Sequence, residues 1–312
     1  MELFTLHEVR CGECRLQYRR ETLTGLSCRI SSERIKRRID LPPSIAYHAQ
    51  GCPFCPEQVF TATPVFPDGS RILRGESVTF PNLYPFAAWH TVTVITRSHD
   101  IREFTASQLT DAFTAQVESL QGHDGYPSIN WNFLPSAGAS LAHPHLQGLV
   151  DPLPSYLAGR YLQESSTYLQ QHGRRYWDDL RVHEAGSDRY LFGNDILWTA
   201  QAVPLGEREV RALLPISHLH EFPAVTDLFV DGLLQVLAFY RRLGTHAFNL
   251  SLFFDREGED HGFSAFCTLI ARINPNDRSM SDSSFMERLH LQPVILTSPE
   301  ELAALFHAKE GS

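Results

Sequence analysis

The sequence contains no apolar run that approaches the ~18 residues a membrane-spanning helix needs. It opens without the basic-then-apolar pattern of a secretory signal. No membrane partner and a cytoplasmic location are therefore expected. Basic residues are in deficit: 27 Lys and Arg face 36 Asp and Glu, a formal net charge of −9. A long nucleic acid demands a basic face, so none is expected as a partner. A small phosphorylated ligand needs only a few local arginines and stays within reach. Cysteine is sparse, with six residues at 11, 14, 28, 52, 55 and 267. Two pairs have C-x-x-C spacing, which in a reducing compartment signals metal or redox chemistry more often than a structural disulfide.

What is present is an ordinary globular composition, 43% hydrophobic and 20% charged. The 312 residues allow one large domain or two of ordinary size. Residues 1–17 are polar and show no clear period. Residues 18–38 pair a Leu-Thr-Gly turn with alternating residues, predicting a strand and then a basic loop. GCPFCPEQ (51–58) is a proline-flanked knuckle, and TVTVIT (91–96) reads as a buried strand. Leu109, Phe113, Val117 and Leu120 have helical spacing within 105–121. SINWNF (128–133) reads as a strand running into a small-residue loop, and a proline-started helix is expected over 152–173. Ser298 and Glu301 predict a capping box on a short helix.

A pattern then recurs. Residues 78–104 have a loose echo in 190–222: each has an asparagine turn, a buried strand, a histidine and a phenylalanine. Each is followed by an amphipathic helix and a strand, SINWNF in one case and AFNLSLFF in the other. His143 lies 44 residues after His99, and His261 lies 43 after His218. This reads as a weak internal duplication into two α+β units, 1–165 and 166–312. The second unit lacks the His-Pro-His of the first, so chemistry is expected in the first. His218, His220 and His261 read as structural or solvent-exposed.

The stretch LAHPHLQG (141–148) carries that chemistry. In an extended strand, residues i, i+2 and i+4 share a face, so His143, His145 and Gln147 point the same way. Pro144 cannot donate to a ladder and belongs at a strand start or edge. One histidine can then bind a metal while the next, roughly 7 Å along, stays free for substrate. Two hydrogen-bonded histidines at a strand edge are the competing reading of this stretch alone. Cys52 and Cys55 supply half of a tetrahedral site, for which His99 and His143 are the best candidates to complete the set. Cys11 and Cys14, with His7 nearby, compete for that role, and a redox pair is the other reading of a C-x-x-C.

Four motifs together resemble the galactose-1-phosphate uridylyltransferase family, a branch of the histidine-triad superfamily. They are LTG followed by SSERIKR, then CPFC, then RSHDIREF, then AGASLAHPHLQG, in the family's order and spacing. The resemblance implies an α+β fold of two histidine-triad-like units, antiparallel sheets with helices packed on one side, paired as a homodimer. It implies that His145 is the nucleophile on the α-phosphate of a nucleoside diphosphate sugar, forming a covalent phosphoramidate. Gln147 would hold the transferred phosphoryl group and Ser140 would donate to a phosphate oxygen. Arg34 and Arg37 would neutralise the phosphates. Asn82 would contact the ribose, and Asn132 matches the asparagine ahead of the phosphate loop. Cys52, Cys55, His99 and His143 match the ligands of a structural Zn2+, which favours them over Cys11 and Cys14.

The chain also departs from the family. Leu134 stands where a glycine usually follows the loop asparagine, with Pro135 after it. Only Phe285 and Glu287 match the C-terminal stretch that contacts galactose, and Asn82-Leu83 replaces the Asn-Asp of the uridine pocket. The motifs thus leave hexose and base open. The leading expectation is a nucleotidyltransferase that uses a nucleotide sugar and a sugar phosphate. The alternatives are a phosphorylase or hydrolase of ADP-sugars or dinucleoside polyphosphates, and a non-catalytic zinc-stabilised nucleotide binder.

Overall fold

The computed structural model describes residues 2–11, 14–32, 51–99, 103–273 and 282–308. The N-terminal stretch without a period forms a hairpin, β1 (Phe4–Cys11) and β2 (Cys14–Glu21), with Cys11 opposite Cys14. Residues 5–8 are exposed on both faces of β1, so no alternation marks the strand in the sequence. The Leu-Thr-Gly turn leads into β3 (Ser27–Ile30) as expected, and Gly25 takes φ +74° there. A short helix, α1 (Val59–Ala62), follows the Cys-Pro-Phe-Cys knuckle. Then come β4 (Ile72–Arg74), β5 (Ser77–Pro81), β6 (Trp89–Val94), α2 (Ala106–Leu120), β7 (Tyr126–Phe133) and β8 (His145–Asp151). Two connecting helices follow, α3 (Tyr156–His172) and α4 (Tyr176–Ala185). The second half adds β9 (Tyr190–Phe192), β10 (Leu197–Ala200), β11 (Val210–Leu213), α5 (Thr226–Arg242), β12 (Ala247–Phe253) and β13 (Phe266–Arg272). The last elements are α6 (Phe285–Arg288), β14 (Val294–Ile295) and α7 (Pro299–His307). At the start of α7, Ser298 accepts from the Glu301 N–H. Among the described residues no helix is long and apolar enough to cross a membrane.

Ten strands form one antiparallel sheet in the order β4-β5-β6-β8-β7-β12-β13-β11-β10-β9. Read inward from its two edges, the order repeats: β4-β5-β6-β8-β7 on one side, β9-β10-β11-β13-β12 on the other. Registers repeat too, since Val94 pairs with His145 and Leu213 with Phe266. The two sets join edge to edge, β7 against β12, with Asn132 opposite Asn249. That pairing satisfies backbone donors and acceptors that either edge would otherwise leave open. The 165/166 division drawn from the sequence falls inside α3. A smaller sheet, β1-β2-β3-β14, joins the N-terminal hairpin to β14 through β3, which pairs with both.

Alternation decides which side chains reach the core. On β7, Ile129, Trp131 and Phe133 are buried, while Ser128, Asn130 and Asn132 are half-buried on the opposite face. The buried row joins Leu146, Leu250 and Leu252 and the apolar faces of α2 and α5 in the main core. Burying one such side chain contributes about 1.5–3 kcal/mol. α2 packs on β4, β5, β6 and β8 and against α5, and a Thr105–Gln108 capping box starts it. The other face, here called the front, is treated differently in each half. Over the second half, Tyr161 of α3 and Trp177 of α4 bury Leu197, Leu213 and Phe266. Over the first half, Phe54 and Val59 cover β5 and β6. The polar row of β8 and β7 lies between these two covers.

Candidate active site

β8 carries His145, Gln147 and Leu149 toward the front and Leu146, Gly148 and Val150 toward α2. Gly148 is needed for this seating, because a Cβ there would lie 2.1 Å from Gln116 Nε2. Gln116 accepts from Thr93 Oγ1 at 2.9 Å and donates to Thr91 Oγ1 at 2.7 Å, which ties α2 to β6. Pro144 stands just before β8, and its carbonyl accepts from the Ile95 N–H at 3.0 Å.

Cys52, Cys55, His99 and His143 converge, with their ligand atoms within 4.8 Å of one another. His143 Nδ1 is 3.8 Å from Cys52 Sγ and 3.7 Å from Cys55 Sγ, and His99 Nδ1 is 3.6 Å from Cys55 Sγ. Zinc bonds of about 2.3 Å to sulfur and about 2.05 Å to nitrogen give a tetrahedral edge of about 3.5 Å, so the donor set fits such an ion. His143 Nε2 donates to the Thr96 carbonyl at 2.7 Å, which fixes the ring and leaves Nδ1 as the ligand atom. His99 Nε2 is buried without a hydrogen-bond partner. Burial and the neighbouring Cys52 push the Cys55 thiol up to about 11. That thiol therefore keeps its proton at neutral pH until a cation displaces it.

The nucleophile candidate hangs from this cluster. His145 Nδ1 lies 2.7 Å from the His143 carbonyl oxygen, so Nδ1 bears the proton and donates, and Nε2 keeps the lone pair. Burial lowers its pKa below the ordinary histidine value, which holds the ring neutral near pH 7. The edge of Phe54 packs 5.1 Å from the imidazole. Two residues on, Gln147 Oε1 lies 3.1 Å from Nε2 of His90, a buried histidine on β6. The Phe86 N–H donates to His90 Nδ1 at 3.4 Å. Asn82 Nδ2 lies 3.0 Å from His90 Nε2 and 3.4 Å from Nδ1, and Asn82 Oδ1 accepts from the Tyr84 N–H at 2.9 Å. Two expected site residues, Asn82 and Gln147, thus meet on a histidine that motif matching misses. The signal was available: His90 stands four residues before Val94 on one strand and so shares its face.

The loop between β7 and β8 is held by the second half. Asn249 on β12 donates to Asn132 Oδ1 at 2.6 Å and to the Ala137 carbonyl at 2.8 Å. Arg272 on β13 donates to Asn249 Oδ1 at 2.8 Å and is ion-paired with Asp282. Neither Asn249 nor Arg272 stands out in the sequence. Leu134 has φ +72° and ψ +157°, a region essentially reserved for glycine. The backbone therefore keeps a glycine conformation while the leucine side chain, 7% exposed, enters the core. Ser140 is exposed on the loop. Arg34 and Arg37 lie outside the described residues.

No protein-family profile matches the chain. An uncharacterized protein of Archaeoglobus fulgidus is 28% identical over 303 residues, covering 92% of this chain and 90% of its own. An ADP-glucose phosphorylase from Arabidopsis thaliana, solved with bound ADP-glucose, superposes with a TM-score of 0.74 at 15% identity, covering 95% of this chain and 99% of that one. A uridylyltransferase superposes with a TM-score of 0.68 at 19% identity, covering 93% and 96%. A duplicated half-sheet, a His-Pro-His strand and a whole-chain match to these structures lead to one conclusion: the chain has the fold shared by the ADP-glucose phosphorylase and the uridylyltransferase.

Proposed function

We propose that the protein is a nucleotidyltransferase that moves NMP from a nucleoside diphosphate sugar to a sugar 1-phosphate through a nucleotidyl-His145 intermediate. The observation that carries this reading is the 2.7 Å bond from His145 Nδ1 to the His143 carbonyl, which leaves Nε2 of this buried ring as the neutral, unprotonated nitrogen. Nε2 attacks the α-phosphorus, an N–P bond forms, the P–O bond to the β-phosphate breaks, and the sugar phosphate leaves. A phosphate oxygen of the acceptor then attacks the same phosphorus, breaks the N–P bond and restores His145. Splitting one displacement into two is the gain of a covalent route. The Gln147 amide donates to the phosphoryl oxygens, with Ser140 and Asn132 lining the loop and Asn82 toward the ribose. Arg34 and Arg37 supply the positive charge.

Cys52, Cys55, His99 and His143 would hold Zn2+, which when bound supplies a rigid tetrahedral tie. In this chain His143 passes that rigidity on through its carbonyl to His145. The chemistry falls in 1–165, and 166–312 supports the loop through Asn249 and Arg272. A homodimer in the reducing cytoplasm completes the reading. The fold shared with a phosphorylase favours one alternative, in which inorganic phosphate is the acceptor.

Intact-protein mass spectrometry tests the reading with UDP-glucose, UDP-galactose, ADP-glucose and GDP-mannose in separate tubes. The expected result is an acid-labile NMP adduct with one donor, absent from His145→Ala, whose turnover falls more than ~10³-fold. Wild type that stays unlabelled with every donor while binding nucleotide tightly would move the non-catalytic binder to first place. Discharge of the adduct by galactose 1-phosphate or by inorganic phosphate separates transferase from phosphorylase.

A further inference from the structure

We infer that His90 is a positioning residue that sets which end of the Gln147 amide faces the transferred phosphoryl group. The inference rests on the proposed nucleotidyl-His145 reading and adds a residue to it. Amide groups can turn over, whereas a backbone N–H cannot. Two donors bear on the His90 ring: the Phe86 N–H lies 3.4 Å from Nδ1, and the Asn82 NH2, oriented by the Tyr84 N–H, lies 3.4 Å from Nδ1 and 3.0 Å from Nε2; we assign both to Nδ1, which places the ring proton on Nε2. Nε2–H is 3.1 Å from Gln147, and a donor there requires the amide oxygen to face it. The Gln147 NH2 is then turned away from His90, and two N–H donors are offered where negative charge develops. With the opposite tautomer, Gln147 would present its oxygen and repel the phosphate.

The register supports this role. Val92 pairs with Gln147 and Val94 with His145, so His90 is the next side chain on the same face of β6. The ring is 4% exposed, with the Phe86 ring edge-on at 4.4 Å, and has little room to flip. No described contact joins His90 to Cys52, Cys55, His99 or His143, so its effect is separable from metal binding.

The test is rapid-mix measurement of adduct formation with the donor that labels wild type, for His90→Ala, His90→Gln, Gln147→Ala and the His90→Ala/Gln147→Ala double variant. His90→Ala should slow labelling about 10-fold with donor affinity changed much less, and His90→Gln, which restores an N–H near Nε2, should recover most of the rate. The double variant should be no slower than Gln147→Ala alone, since residues acting as one unit are non-additive. Full-rate labelling in His90→Ala, or losses that multiply in the double variant, would overturn the inference. A second readout needs no turnover. The ring 15N shifts of His90 should report Nε2–H in wild type and a tautomer mixture in Gln147→Ala, and an Nδ1–H ring in wild type would sink the idea. If no donor labels wild type, the transferase reading fails, and the 15N result alone decides whether His90 holds Gln147.

Discussion

On β8, His145 and Gln147 face Val94 and Val92 of β6, with His90 next along that strand. On β13, the matching positions hold Phe266 and Thr268, which face Leu213 and Arg211 of β11, with Glu209 next along. The backbone ties match as well: the Asn82 N–H donates to the His90 carbonyl at 2.8 Å and the Gln201 N–H to the Glu209 carbonyl at 3.0 Å. The side chains differ in kind. The first half sets a neutral imidazole and an amide between the two covers of the front face. The second half sets an ion pair, Arg211 with Glu209 at 3.1 Å, 1% and 0% exposed. Tyr161 of α3 roofs it and accepts from Arg211 at 2.8 Å, and the Phe266 ring lies 4.9 Å beneath the guanidinium. Under the proposed function, the same scaffold position carries the reacting imidazole in the first half. It serves as a structural plug where α3 closes it and opposite charges answer each other.

The largest effect is expected from breaking the plug. Arg211→Met leaves Glu209 without its buried partner and should cost about 3–5 kcal/mol in chemical denaturation. Folded Arg211→Met protein should still label at His145, and loss of labelling without loss of stability would break the comparison. Next is the candidate metal cradle, Cys52, Cys55, His99 and His143; the second-half cluster of Asp255, Glu259 and His261 holds no thiol. Cys55→Ser should lose most of its zinc by elemental analysis and melt several degrees lower, because metal binding is linked to folding. Third is the loop. Leu134→Gly relieves about 1–3 kcal/mol of backbone strain and so offsets much of the lost leucine burial. Leu146→Ala, with no strain to relieve, should cost the full 2–5 kcal/mol or so. Equal losses for the two variants in denaturant titrations would show that the Leu134 strain is not real.

The smallest effect concerns pH. Burial alone would lower His218, but its bond to the Glu259 carbonyl and the nearby Glu257 and Asp255 raise it above the usual histidine value. A raised value adds stability below the unfolded pKa of ~6.5 that is lost as pH rises through the folded value. His218→Asn should therefore lower the Tm more at pH 6 than at pH 8. His90 is lowered by burial, so acidification below the ordinary value destabilises the fold instead. The Tm deficit of His90→Gln should accordingly shrink toward pH 5.

Strands that bury at least one face were legible in the sequence. β7 alternates throughout and β6 is a nearly unbroken β-branched run, and both lie where the pattern puts them. β1 was not legible, because both of its faces meet water and nothing forces alternation. Of the site, the His143–Gln147 face follows from a period of two, while Cys52 and Cys55 with His99 and His143 were one of two candidate sets, and the resemblance favoured them over Cys11 and Cys14. His90 was missed because a single histidine in a strand resembles any other. The Arg272–Asn249–Asn132 chain was out of reach for a different reason: it crosses from β13 to β7 through pairings set by the whole sheet. The φ of Leu134 belongs to the folded backbone alone.

The junction of β7 with β12 bears on how the molecule tolerates damage. The exposed turn after α3, residues 173–174, is the natural place for a protease to nick the chain. A cut there severs one covalent link but leaves the β7–β12 ladder and the α2–α5 contact intact. The two fragments should travel together on a sizing column and separate only in denaturant. By the same logic, halves made as separate polypeptides would each carry the strand edge that the other needs, and complementation between them would restore the loop that Asn249 braces.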